Sequence, residues 1–100
     1  QAAAVYVDDR LYYYAASISK ATREHPQITL GVSPRGTLAL IRSAKAMAML
    51  RGRNYLLPDD ITPLCMDVLA HRIIPKGNVP AERVLEEILH QIQAPAPDKR

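Results

Sequence analysis

The residues of this chain best suited to chemistry lie together in Gly31-Val32-Ser33-Pro34-Arg35-Gly36. Ser33 followed by Pro34 reads as a helix start: a hydroxyl cap, then a proline whose missing N–H is not needed at the first helical position. Arg35 then falls in the first turn, where unpaired N–H groups already carry partial positive charge. A cation sits at the wrong end of a helix there unless an anion joins both. Backbone donors and a fork-shaped guanidinium together suit a phosphate. Gly36, having no Cβ, would let a ligand or another backbone approach. The alternative is a solvated arginine whose dipole penalty is only about a few tenths of a kcal/mol. The residues alone leave both readings open.

Four helices should position this segment. Asp8 or Asp9 can cap a first helix carrying Leu11, Tyr14, Ala15 and Ile18 at helical spacing, and Pro26 should stop it near Glu24. The run Tyr12-Tyr13-Tyr14 spans most of a turn, so all three cannot share one face, and one or two would lie in an interface groove. A loop from His25 to Val32 leads to a second helix, Pro34 to Arg51, ended by Gly52. Its apolar residues, among them Leu38, Leu40, Ile41 and Leu50, cover more than one face, as in a central helix. A third helix is expected over Pro58–Ala70 with Ile61, Leu64, Cys65, Val68 and Leu69 buried, and a fourth over Pro80–Gln93. Val5–Val7 is short and extended in character. The expected class is all-α: a small four-helix domain over residues 1–94, with 95–100 a disordered tail.

Composition agrees with one soluble domain. The chain has 100 residues, 48% hydrophobic and 23% charged, and five Tyr are the only aromatics. The net charge of +3 is too weak by itself to imply nucleic acid. The single Cys65 has no internal disulfide partner, which suits a reducing, cytoplasmic setting. No His or second Cys stands at metal-ligand spacing, so no metal site is expected, and no apolar run is long enough for a membrane span. His71 and His90 are isolated. There is no glycine-rich loop with Lys-Ser or Lys-Thr, no acidic pair after a hydrophobic strand, and no catalytic triad. The chain by itself is therefore expected neither to cradle a triphosphate nor to hydrolyse ATP. A start at Gln1 rather than Met is expected of a piece of a longer protein.

Five motifs in order sharpen this reading: Thr22-Arg23-Glu24-His25-Pro26, the Gly31 to Gly36 segment, Gly52-Arg53-Asn54-Tyr55, Pro58-Asp59-Asp60-Ile61 and His71-Arg72. Together they resemble the C-terminal lid domain of a MoxR-family AAA+ ATPase. The resemblance implies that Arg35 is the sensor-two arginine, reaching the terminal phosphate of ATP, with Ser33, Pro34 and Gly36 forming the segment that presents it. It further implies ATP and Mg2+ in the full-length protein and an ATPase core that this lid covers. A homo-oligomeric ring, expected to be a hexamer, and chaperone-like remodelling of partners, some with von Willebrand factor A domains, complete the implication. The family usually has small residues, often Ala, where Val32 and Gly36 stand; Val32 should fill a pocket.

Arg23 could brace the loop that aims Arg35 by bonding to backbone carbonyls, or could simply be a cation at a helix end. Arg42 and Lys45 continue the Arg35 side of the second helix, as a solvated stripe or as a contact with a neighbouring subunit. Arg53, Asp59 and Asp60 read as structural: an exposed arginine and first-turn acids. Cys65 reads as an inert core thiol. A competing class is a small basic helical nucleic-acid-binding module, because Arg53 to Ile61 also resembles the last turn-and-helix of histone-like folds. Against it, the basic residues are not gathered on one recognition helix, and Gly31 and Gly52 hold the second helix to about 20 residues where that resemblance requires roughly 27.

Overall fold

The computed structural model describes residues 5–95. The first helix, α1, spans Asp9–Glu24, and its Asp8 cap accepts the Arg10 N–H at 2.8 Å. Leu11, Tyr14, Ala15, Ile18, Ser19 and Thr22 form its buried stripe, at the three- and four-residue steps of one helix face. It stops at His25, which turns extended ahead of Pro26. Strand β1, Ile28–Leu30, leads to α2, Pro34–Leu50, started by Ser33 and ended where Gly52 turns left-handed at φ 78°. The chain continues through α3 (Pro58–Ile61), α4 (Leu64–Leu69), a 3-10 turn at Ala70–Arg72, β2 (Ile74–Pro75) and α5 (Ala81–Gln91).

Helix α2 is central: α1 packs on one side of it, α3 and α4 on another, while α5 closes over α1 and α4. Ile18, Leu40, Ile61, Leu69, Leu85 and Ile88 are fully buried where these helices meet. Each such side chain contributes roughly 1.5–3 kcal/mol relative to exposure, which is what holds the helices together. Tyr14 is the tyrosine of the triplet that goes inside, with its hydroxyl 2.9 Å from Thr62 Oγ1, while Tyr12 and Tyr13 stay exposed.

Three expectations need correction. The class is mostly helical rather than strictly all-α, because β1 and β2 pair antiparallel, Ile28 opposite Pro75 and Leu30 opposite Ile74. The expected third helix is two short ones. Pro63 cannot donate to the ladder and its ring crowds the carbonyl four residues earlier, so the chain passes through a turn between Ile61 and Leu64. Helix α2 does meet neighbours on two sides as expected, but Leu38 and Leu50, counted among its apolar contacts, are exposed. The expected tail lies outside the described residues from position 96 onward.

Candidate functional site

The site is the start of α2 together with the parts of α1 that hold it. Gly31 passes so close to α1 that a Cβ there would lie 2.6 Å from the Arg23 backbone nitrogen. Only glycine permits that approach, and it lets the next residues bond to α1. Thr22, fully buried, donates its hydroxyl to the Ser19 carbonyl at 2.6 Å and accepts the Val32 N–H at 2.9 Å. Arg23 Nη1 donates to the Val32 carbonyl at 2.7 Å. Both polar groups of Val32 are thus tied to the last turn of α1, and its side chain is fully buried. Ser19 and Thr37 share a further hydrogen bond of 2.6 Å between α1 and α2.

From that anchor Ser33 starts the helix. Its hydroxyl accepts the Gly36 N–H at 3.2 Å, and its carbonyl accepts the Thr37 N–H at 3.1 Å. Pro34 has no N–H. Arg35 supplies the remaining first-turn N–H, which has no acceptor among the described residues. The first turn of α2 contains no acidic residue. The Arg35 side chain is exposed and no carboxylate among the described residues pairs with it. A guanidinium, an N–H and the positive end of a 17-residue helix are presented together, a combination suited to an anion.

Gly36 does something other than expected. It is buried, and a Cβ there would lie 2.8 Å from Val32 Cγ1 and 3.1 Å from Arg72 Cδ. The space it leaves is filled by this chain's own side chains, so Gly36 positions the turn instead of admitting a ligand. Val32 fills the pocket expected of it and reaches into the volume that a side chain at position 36 would need. The stem of Arg72, from the His71-Arg72 motif, lies over this turn.

The far end of α2 holds the other arginine cluster. Asp60 is almost completely buried and receives two hydrogen bonds from Arg53, at 2.6 and 2.7 Å, one from Arg51 at 3.1 Å, and one from the Leu57 N–H at 2.8 Å. Arg53 also donates to the Tyr55 carbonyl at 3.1 Å and lies 5.6 Å from the Tyr55 ring centre. The reading of Arg53 as an exposed arginine is therefore corrected: its side chain is mostly buried and holds Asp60 through two hydrogen bonds. Burial by itself would raise the Asp60 carboxyl, but the bonds from Arg53 and Leu57 and the nearby guanidinium charges outweigh it and hold the carboxyl below its usual range. The same contacts raise Arg53. This constellation fastens structure, with the buried Asp60 carboxylate as the shared acceptor of both arginines.

Arg23 is where the bracing reading placed it. Thr22 was not singled out for that role, although it continues the buried stripe of α1 one turn beyond Ile18, where a hydroxyl needs a partner. Burial pushes the Cys65 thiol up to about 12, as suits a core thiol. Among the described residues no group of three His, Cys, Asp or Glu could hold a metal ion, and no helix is long and apolar enough to cross a membrane.

This geometry is that of a known domain class. Residues 20–92 match the AAA lid domain family, and the chain belongs to it. Within that class it is a lid domain of MoxR-family AAA+ type. It is 32% identical over 93 residues to Chaperone MoxR1 of Mycobacterium tuberculosis, covering 84% of this chain and 25% of that protein. It is 40% identical over 96 residues to the protein YeaC of Bacillus subtilis, named as uncharacterized, covering 91% and 30%. It superposes on the crystal structure of a "putative ATPase" from Cytophaga hutchinsonii with a TM-score of 0.88 at 30% identity, covering 95% of this chain and 33% of that one. The chain thus spans a quarter to a third of the length of these relatives. Nothing in the comparisons supports the nucleic-acid-binding alternative.

Proposed function

We propose that this domain is the lid of an ATP-hydrolysing AAA+ protein and that Arg35 is its sensor-two arginine, directed at the terminal phosphate of ATP held by the core. The observation that carries the reading is the state of Arg35: exposed, without a carboxylate partner among the described residues, in the first turn of a helix clamped to α1 through Thr22 and Arg23. An arginine left unpaired at a positive helix end, on so constrained a support, is suited to an anion from outside the domain. Ser33 and Pro34 set where the helix starts, and Gly36 lets that turn pack. ATP with Mg2+, when bound in the core, supplies the phosphate charge that Arg35 meets. Hydrolysis followed by departure of the cleaved phosphate takes that charge away and would release the lid to change its angle, a hinge-type switch. A homo-oligomeric ring, hexameric by family resemblance, would turn this motion into chaperone-like remodelling of partner proteins, von Willebrand factor A domain proteins among them, in the cytoplasm. The resemblance to Chaperone MoxR1 supports the remodelling part.

The test compares ATPase rate and thermal midpoint for the full-length wild type, Arg35→Ala and Arg35→Lys. Arg35→Ala should leave folding within about 0.5 kcal/mol of wild type, as exposed substitutions do. Turnover should fall by a factor worth several kcal/mol of barrier, because a guanidinium on transferring phosphoryl charge contributes on that order. Lys should restore little, since a point charge cannot reproduce a planar fork. An unchanged rate in folded Arg35→Ala removes Arg35 from the mechanism. The domain alone should bind ATP weakly and not turn it over; calorimetry of this chain giving micromolar affinity would contradict that.

A further inference from the structure

A second arginine reaches the start of α2 from a different part of the fold. Arg72 ends the 3-10 turn Ala70–Arg72, between the buried Ala70 and Ile73, so core packing sets its backbone. Its Cδ lies 3.1 Å from the point where a Cβ of Gly36 would stand, and Ser33 Oγ lies 3.9 Å from that same point. A Cα–Cβ bond tilts toward the N-terminus of its helix, so this point is at the rim of the first turn, beside the Ser33 cap. The stem of Arg72 therefore stops next to the first-turn N–H groups, and the guanidinium begins one bond further on. Arg72 is exposed, and no hydrogen bond or ion pair among the described residues ties its head group. Packing alone does not call for an arginine here, because a flexible apolar side chain such as Met would cover Gly36 as well. The guanidinium adds a second positive charge at the positive end of a helix whose first turn holds no acid. Arg35 and Arg72 thus raise the same electrostatic cost twice, from two separate elements.

We infer that Arg72 is a second phosphate-contacting arginine, sharing the terminal phosphate of ATP with Arg35 across the first turn of α2. The inference rests on the reading of Arg35 above and adds a residue to it. A singly esterified phosphate carries a charge of about −1.5 to −2 at pH 7. One guanidinium and a helix end worth about +0.5 leave part of that charge unbalanced, and a second guanidinium balances it. The Arg72 stem is already packed on Gly36, so little side-chain freedom remains to be lost when the anion arrives. ADP lacks the phosphate that the two arginines would hold, so Arg72 favours ATP over ADP and not nucleotide in general. The turn that carries Arg72 packs on α4 and α5. Arg72 therefore ties that side of the domain to the nucleotide, where Arg35 ties only α2.

Equilibrium binding of ADP and of a non-hydrolysable ATP analogue to the full-length protein tests this. Arg72→Met and Arg72→Gln both keep a stem over Gly36 and remove the charge, so either one that folds serves. Each should weaken the analogue by on the order of tenfold, the scale of one charge-assisted hydrogen bond. ADP affinity should change by less than about twofold, since Arg72 meets only the phosphate that ADP lacks. The nucleotide-free variant should melt no lower than wild type, because a cation has left a positive helix end. An unchanged preference for the analogue over ADP in a folded variant overturns the inference. Equal weakening of both nucleotides with a lowered thermal midpoint overturns it too, and marks Arg72 as packing alone. Combining Arg72→Met with Arg35→Ala should weaken the analogue by less than the product of the single losses, as for groups that share one partner. Losses that simply multiply would put the two arginines on separate anions and overturn the shared contact. Arg35→Ala also separates this inference from the reading beneath it. Lost turnover in Arg35→Ala with an unchanged preference in Arg72→Met defeats the second arginine alone. Unchanged turnover in Arg35→Ala defeats the phosphate reading, and the shared contact with it.

Discussion

Arg35 and Arg53 stand at opposite ends of α2 and have opposite surroundings. Arg53 is turned inward, holds a buried carboxylate with two hydrogen bonds, and bonds a backbone carbonyl as well. Arg35 is turned outward at a helix end that already repels it, and no carboxylate among the described residues answers it. Removing a partner from the first cluster leaves groups with desolvation unrecovered. Removing Arg35 takes away no internal contact that the structure shows. The same residue type serves the fold in one place and, in the function proposed for it, an external anion in the other, and the local partners distinguish the two.

The largest difference between the two arginine sites should appear at Asp60. Asp60→Asn should destabilise this chain by about 3 kcal/mol in urea unfolding, because both arginines and the Leu57 N–H lose their shared acceptor charge. Arg35→Ala in the same assay should stay within about 0.5 kcal/mol. Similar losses from the two substitutions would erase the distinction. The next largest effect should come from Gly31→Ala, whose Cβ meets the α1 backbone at 2.6 Å, a contact that no rotamer relieves. A loss of about 1–3 kcal/mol is expected by analogy with overpacking, and in the full-length protein a loss of turnover too, since the support of Arg35 shifts.

A third test concerns volume at the site. Gly36→Ala alone meets Val32 Cγ1, whereas in a Val32→Ala background that atom is absent. The substitution should then gain up to about 1 kcal/mol of helix propensity. A double-mutant cycle should therefore show coupling between positions 32 and 36, and strict additivity would disprove the shared volume. The smallest effect should be the acid response. The Asp60 carboxyl is held below its unfolded value, so its contribution is fully present above about pH 4 and fades as pH falls through the folded pKa. Wild type should lose more stability than Asp60→Asn on going from neutral pH to about pH 2–3. Parallel pH profiles would show that Asp60 is not held that way.

The parts of this molecule that the sequence reveals are those set by neighbours along the chain. Ser33-Pro34 marks the start of α2, Asp8 that of α1, and Gly52 the stop, because caps and breakers act within one turn. Arg35 is legible for the same reason. Its exposure follows from its place in the first turn. The pairing of Ile28–Leu30 with Ile74–Pro75 is not legible: the strands are too short for alternation to register and lie more than 40 residues apart. The Arg53–Asp60 pair is half legible. Acids in a first turn ordinarily face solvent and the helix dipole, and only the fold shows that Asp60 is turned inward. Thr22 and Arg23 illustrate the same limit, since their acceptor and donor on Val32 come near only after β1 reverses the chain. Pro63 is different. Its effect on the third helix is local, and the apolar stripe from Ile61 to Leu69 hides it.

The extended segment at the beginning of the described chain has a mechanical consequence. Tyr6 donates its N–H to the Asn54 carbonyl and accepts the Leu56 N–H, each at 2.8 Å, and Val5 is buried beside them. The stretch it joins, Asn54–Leu56, is flanked and stiffened by the Arg53–Asp60 cluster. The incoming polypeptide is therefore sewn to the rigid body before α1 begins. Any tilt of the whole domain would carry Tyr6 and Asn54–Leu56 along together. Leverage on α2 would then be applied through a doubly bonded seam at the end of the helix remote from Arg35.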